Sequence, residues 1–373
     1  MRIGIDANPM LRNRGGVGWH IYHLLHALLD LKEDVEFVCY IEPGALRRRE
    51  AALIEAWERD PRLTWIEVGR FTRRWRGTMD RLDLYHGMNF RMRTSGRCGG
   101  VVTIHDLWLD RNPQYSTRLF GQRGAFHRTR RTAWRAKKVI TVSEHSANDI
   151  VSLYGLPRER VAVVYNGVAE DFHPTTEPAE MAELRNRLAL PTDRFILFAG
   201  GADPRKNHQG LIRAYSRVAE LLASHSLVMV GDAMHRFGDI RETARTFGVE
   251  DRIVCAGQLS PADLRLLYSH ADVFVFPSIY EGFGMPVLEA IACGAPVITS
   301  STTALPEVGG DAAVLINPES VEELADAIVH VLEQPDLRDR LRVKGLQRAK
   351  QFTWERAARQ TVAVYREICS ERR

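Results

Sequence analysis

A chain of 373 residues exceeds what one ordinary core organises, so two domains are expected. With 45% hydrophobic and 26% charged residues, the composition is that of a soluble globular protein and excludes a disordered or fibrous chain. A net charge of +4 gives no argument for nucleic acid as a partner, and no run approaches the roughly 18 consecutive apolar residues that a membrane span requires.

The opening MRIGIDANPM reads as a first strand at Arg2–Asp6 and not as a signal peptide, so a cytoplasmic protein is expected. Short apolar runs follow at Val35–Ile41, Leu63–Val68, Leu84–His86, Val101–His105, Val139–Val142 and Val161–Tyr165. Between them, residues such as Ile21, Leu24, Leu25 and Leu28 recur at helical spacing, the pattern of a parallel sheet wrapped by helices. Basic side chains crowd this half. Arg70, Arg73, Arg74 and Arg76 surround Phe71 and Trp75, and Arg123, Arg128, Arg130, Arg131, Arg135, Lys137 and Lys138 surround Phe126 and Trp134. They form either a solvated face or a surface for the anionic inner membrane and a lipid-linked acceptor; the helical placement of Phe126 and Trp134 favours core packing for those two.

Beyond Asn166-Gly167 the stretch Pro174-Thr-Thr-Glu-Pro178 suits a linker. The expected division is residues 1–172, residues 173–354, and a C-terminal helix over 355–373 that returns to the first domain. In the second half, strands are predicted at Phe195–Phe198, Leu227–Val230, Ile253–Ala256, Val273–Phe276, Pro296–Thr299 and Ala313–Ile316. The five cysteines lie far apart, with no zinc or redox spacing.

Two segments of the second half carry chemistry. In ILFAGGADPRKNHQGLI a strand leads through Gly200-Gly201 and a turn at Asp203-Pro204 to Arg205, Lys206 and Asn207 opening a helix. Cations at a helix N-terminus are unfavourable unless an anion is also bound, which points to a phosphate site. In PSIYEGFGMPVLEAIACGAP a strand ends at Phe276, a glycine-bearing loop follows, and Pro286 opens a helix. Ligands of open α/β sheets bind beyond such strand ends. Glu281 and Glu289 frame the loop and suit sugar or ribose hydroxyls; a capping box is the alternative for Glu289, but Pro286 stands where Ser or Thr belongs. Gly16 and Gly18 lack the third glycine of the dinucleotide fingerprint, because Ile21 occupies that place.

Together these residues resemble glycosyltransferase family 4, retaining transferases of GT-B architecture in which two Rossmann-like domains face each other across a deep cleft. The likeness runs from the first strand to the last helix and is most specific over Glu281-Gly282-Phe283-Gly284-Met285-Pro286-Val287-Leu288-Glu289. It implies that Glu281 faces the donor sugar, that Glu289 holds the nucleotide ribose, that Arg205 and Lys206 hold the diphosphate beside Gly201 and Asn207, and that Gln258 and Leu259 lie at the base. In the first half it implies donor contacts at Gly16, Gly18 and Asn166 and a catalytic pair in His105 and Asp106, with His105 touching the transferring sugar. Gly201 stands where many relatives carry an arginine, a charge that Arg205 supplies in a mannosyltransferase-like branch with the same Pro-Arg-Lys-Asn string. The reaction implied is transfer of a hexose, first of all mannose from GDP-mannose, to a glycan or lipid-linked acceptor in surface polysaccharide synthesis. No Asp-x-Asp occurs, so no metal and no cofactor are expected. A sugar-nucleotide-binding protein without turnover, or a transferase using a UDP or dTDP sugar on a small molecule, are the alternatives.

Overall fold

The computed structural model describes residues 1–12, 15–44, 57, 60–69, 80–92, 98–115, 121–231 and 238–370. The basic stretch 70–76 and the side chain of residue 123 lie outside them. The chain forms two compact units, Met1–Gly167 with Trp354–Arg373, and Val168–Thr353.

The first unit holds a parallel sheet of β1 (Arg2–Asp6), β2 (Glu36–Ile41), β3 (Leu63–Glu67), β4 (Leu84–Gly87), β5 (Gly99–Thr103), β6 (Lys138–Thr141) and β7 (Val161–Val163), in the order β3-β2-β1-β4-β5-β6-β7. β1 pairs with β2 through Arg2↔Glu36 and with β4 through Ile3↔Leu84, so the order reverses beside β1. Right-handed crossovers then place the connecting helices on opposite faces of the two halves and leave a crevice at the reversal. Each predicted strand of this half is present, β1 with the predicted bounds and the others with ends within two residues of them. β5 begins at Gly99, earlier than the apolar run: glycine lowers strand propensity, yet the Met92 thioether packs over Gly100, with Sδ 1.9 Å from where a Cβ would stand.

Local signals set the helices. Ser143 accepts from Ser146 N at 3.0 Å to cap helix Glu144–Tyr154, and Gly155 ends it in the left-handed conformation (φ 69°). This helix packs Ala147, Ile150 and Tyr154 onto Val102 and Val139 of the sheet and Ile104 just after β5, with Ala133 from helix Gly121–Arg135 and Ala136 just after it. Phe126 joins this core against the Tyr154 ring, as expected. Trp134 does not: it is 45% exposed, its Nε1 donates to Tyr154 O at 3.0 Å, and Arg160 lies over its ring. An indole satisfied by a carbonyl at the helix edge gains little from deeper burial.

The C-terminal helix Trp354–Ser370 belongs to the first unit, where it packs along helix Gly16–Asp30. Tyr365 hydroxyl meets His86 Nδ1 at 2.7 Å, and Thr103 Oγ1 meets His86 Nε2 at 2.7 Å, tying helix to sheet.

The second unit repeats the pattern with β8 (Arg194–Ala199), β9 (His225–Val230), β10 (Ile253–Gly257), β11 (Val273–Phe276), β12 (Val297–Ser300) and β13 (Ala313–Ile316), ordered β10-β9-β8-β11-β12-β13 and all parallel. The division falls at Gly167/Val168, ahead of the proline-rich stretch expected to be the linker. Val168 N already donates to Phe352 O at 3.0 Å, and Thr175 N bonds Ser269 Oγ at 3.2 Å. Pro178 starts helix Pro178–Leu188, so these prolines shape a loop inside the second unit. No helix among the described residues is long and apolar enough to cross a membrane.

Burial holds the His86 imidazole down at about 3. The unfolded chain binds that proton below its ordinary value and the folded one does not, so the stabilisation is complete above about pH 6.5 and falls away as the pH drops. His86→Gln should therefore flatten the pH dependence of unfolding, measured by urea titration between about pH 6 and pH 4, by up to about 1.4 kcal/mol per pH unit.

Candidate active site

In the second unit the two predicted segments leave adjacent strands at the reversal of strand order. After β8, Gly200 N bonds Val230 O and the chain passes Gly201 to Asp203. Asp203 Oδ1 accepts from Arg205 N at 3.1 Å and caps a short 3-10 turn, Pro204–Lys206, while Asp203 Oδ2 lies 3.0 Å from Arg205 Nε. Asn207 takes the left-handed conformation (φ 57°), donates from Nδ2 to Pro318 O at 2.7 Å, and precedes helix His208–Val218. Arg205 and Lys206 therefore stand one turn ahead of the helix they were expected to open.

After β11, the backbone is stitched to this turn. Ile279 N donates to Arg205 O at 2.7 Å and Ser278 Oγ lies 2.9 Å from the same carbonyl. Lys206 Nζ then meets Glu281 Oε1 at 2.5 Å, both side chains almost wholly buried, with Ser278 Oγ 2.7 Å from the same oxygen and the Phe276 ring 5.1 Å from the ammonium. Glu281 N donates to Thr303 Oγ1 at 3.1 Å. Internal carboxylates, Asp203 and Glu281, thus compensate the two cations whose placement alone suggested a bound anion.

Gly282, Phe283 and Gly284 turn the chain into helix Met285–Ala292. Gly284 has φ 113°, and a Cβ there would stand 2.7 Å from Leu305 Cδ2, so both backbone and packing demand glycine. The helix starts at Met285, one residue before Pro286, and Glu289 lies in its second turn. That removes the capping box. Its Oε2 accepts from the Tyr268 hydroxyl at 3.2 Å, and burial lifts the half-buried carboxyl to about 8. Leu288, which the resemblance places with Gly282, Phe283, Gly284 and Met285 among the donor contacts, has a fully buried side chain, and its N–H donates to Gly284 O. Gln258 is exposed and Leu259 half-buried in the loop after β10, where Ser260 caps helix Pro261–His270.

In the first unit, Gly16 and Gly18 lie in the first turn of helix Gly16–Asp30 and not in a loop. That helix carries His20, which the sequence reading missed and which gathers two predicted residues. Its Nδ1 lies 2.8 Å from Asn166 Oδ1, and its ring meets the His105 ring edge-on at 4.7 Å. Burial, then His105, holds His20 well below the ordinary histidine range, and burial lowers His105. His105 Nε2 faces Met88 O at 3.0 Å, so the neutral ring carries its proton there and keeps a lone pair on Nδ1. Asp106 Oδ1 accepts from Trp108 N at 3.1 Å. A lone histidine four residues after Gly16 was the only available signal for His20. No group of three or more His, Cys, Asp or Glu side chains placed to hold a metal occurs among the described residues.

Residues 180–348 match the family model described as glycosyl transferases group 1, and residues 14–172 the model described as glycosyltransferase family 4. The chain is 32% identical to the O-antigen chain mannosyltransferase B of Escherichia coli over 76% of this chain and 74% of that protein. It is also 32% identical to the MMP alpha-(1->4)-mannosyltransferase of Mycolicibacterium hassiacum, covering 98% of each. Among solved structures, Anabaena Alr3699/HepE in complex with UDP and glucose superposes with a TM-score of 0.76 at 18% identity over 98% of this chain and all of that one, a likeness of fold.

Removing one partner of a buried ion pair strands the other charge. Glu281→Gln should destabilise the second unit by about 3 kcal/mol, and the double change Lys206→Met with Glu281→Leu should recover most of it. Denaturant unfolding of the single and double variants measures the difference.

Proposed function

The chain belongs to glycosyltransferase family 4, and from that premise we propose that it moves a hexose, mannose from GDP-mannose in the first instance, onto a glycan or lipid-linked acceptor. The observation that carries this reading is the seam between the loops after β8 and β11, where Lys206, Glu281 and Ser278 meet beside Arg205. A diphosphate is met by the two cations, a sugar by Glu281, and a ribose by Glu289. His105 Nδ1 is an acceptor for a hydroxyl of the transferring sugar. The relatives named as mannosyltransferases favour mannose, and the Pro-Arg-Lys-Asn string agrees with them.

The step we propose is front-face attack, which retains the anomeric configuration. The bond from the anomeric carbon to the leaving phosphate breaks as the acceptor oxygen bonds to that carbon, and a phosphate oxygen takes the acceptor's proton. Charge on the departing diphosphate falls to Arg205, Lys206 and helix N-termini, so activity should survive a chelator.

The exposed side chains of Arg128, Arg131, Trp134, Arg135 and Lys137 on and just after helix Gly121–Arg135 support a contact with an anionic membrane surface. Sedimentation with anionic vesicles at low salt should carry the protein down, and neutral vesicles should leave it in solution.

A panel of nucleotide sugars tested by thermal shift should single out GDP-mannose, because a ligand at about 100 times its dissociation constant stabilises by about 2.7 kcal/mol. Glu289 accepts from ribose as a carboxylate, and it is protonated below about pH 8 in the ligand-free protein. Donor affinity should therefore rise between about pH 6.5 and pH 9, and calorimetry of Glu289→Gln should lose that rise.

A further inference from the structure

The C-terminal edge of the first unit's sheet holds a cavity of about 490 Å3, within the range of small-molecule pockets. It lies at the reversal of strand order, where open α/β sheets take ligands: Asp6 ends β1, Glu42 follows β2, Asn89 and Arg91 follow β4, and Asp106 follows β5. Asp110 and Thr129 close its sides.

Among the described residues, four carboxylates and one guanidinium line this space. Asn8 Nδ2 donates to Asp6 Oδ1 at 2.7 Å and the Tyr154 hydroxyl to Asp110 Oδ2 at 2.5 Å, so these two acids are held in place by the fold. Burial, and then the charge of Asp106, push the Asp110 carboxyl up, so the negative field is already felt within the wall. A carboxylate offers about four acceptor positions, which suits a ligand whose surface is hydroxyl donors. Asn89 adds a buried amide oxygen with no hydrogen-bond partner among the described residues, an acceptor that a ligand hydroxyl would satisfy. A phosphate or carboxylate on the ligand would meet these four acids, with Arg91 the one cation among the described lining residues.

We propose that this cavity receives an uncharged, hydroxyl-rich end of the acceptor and rejects acceptors that are phosphorylated or carboxylated at that end. The proposal rests on the transferase reading and adds the chemical class of the second substrate.

Calorimetry and saturation-transfer NMR on the full chain test it, with methyl α-mannoside and methyl α-glucoside compared against mannose 6-phosphate and glucose 6-phosphate. The neutral glycosides should bind at least about tenfold more tightly than the phosphates. Thr129→Trp, which fills the cavity, should weaken the glycosides by about tenfold or more, and the near-isosteric Glu42→Gln should narrow the gap between the two classes. Phosphates that bind as well as the glycosides, glycosides that fail to bind at about 50 mM, or unchanged binding in both variants would each overturn the proposal. Nucleotide-sugar binding is read in parallel. Its absence from the wild-type chain counts against the transferase reading, whereas its presence without glycoside binding counts against this cavity alone.

Discussion

A buried ion pair, Lys206 with Glu281, holds the second unit's site together. Withdrawing an ammonium and a carboxylate from water costs several kcal/mol each, and here the direct contact, the Ser278 hydroxyl and the Phe276 ring offset that cost. The pair joins two loops from adjacent strands, and Arg205 O ties the same loops through the backbone.

The first unit handles charge in the opposite way. His20, His86 and His105 are buried, burial lowers the proton affinity of each, and each is held by a hydrogen bond, so these three rings add no charge to the interior. The acids are gathered at the cavity over the strand ends instead. The second unit thus pairs its two cations with internal carboxylates, and carboxylates line the cavity of the first.

Much of the fold was legible because a parallel strand buried on both faces leaves a short apolar run that periodicity detects. What failed were local signals whose meaning depends on distant partners. Gly100 does not read as strand, because the Met92 side chain packed where its Cβ would stand comes from outside the stretch. Pro174–Pro178 reads as a linker, yet Ser269 fixes it within the second unit. Trp134 sits on a helical stripe with Phe126, but the Tyr154 carbonyl holds its indole at the surface.

The sequence by itself determined the α/β alternation, the two motif-bearing loops and the identities of Arg205, Lys206, Glu281 and Glu289, because each depends on residues within one short stretch. Only the tertiary structure decided that Lys206 and Glu281, 75 residues apart, neutralise each other, that Glu289 lies under Tyr268 with its carboxyl raised to about 8, and that His20 joins Asn166 to His105. The physical reason is that protonation and pairing depend on burial and on which groups lie within a few ångströms, and those distances are set by how the strands order themselves.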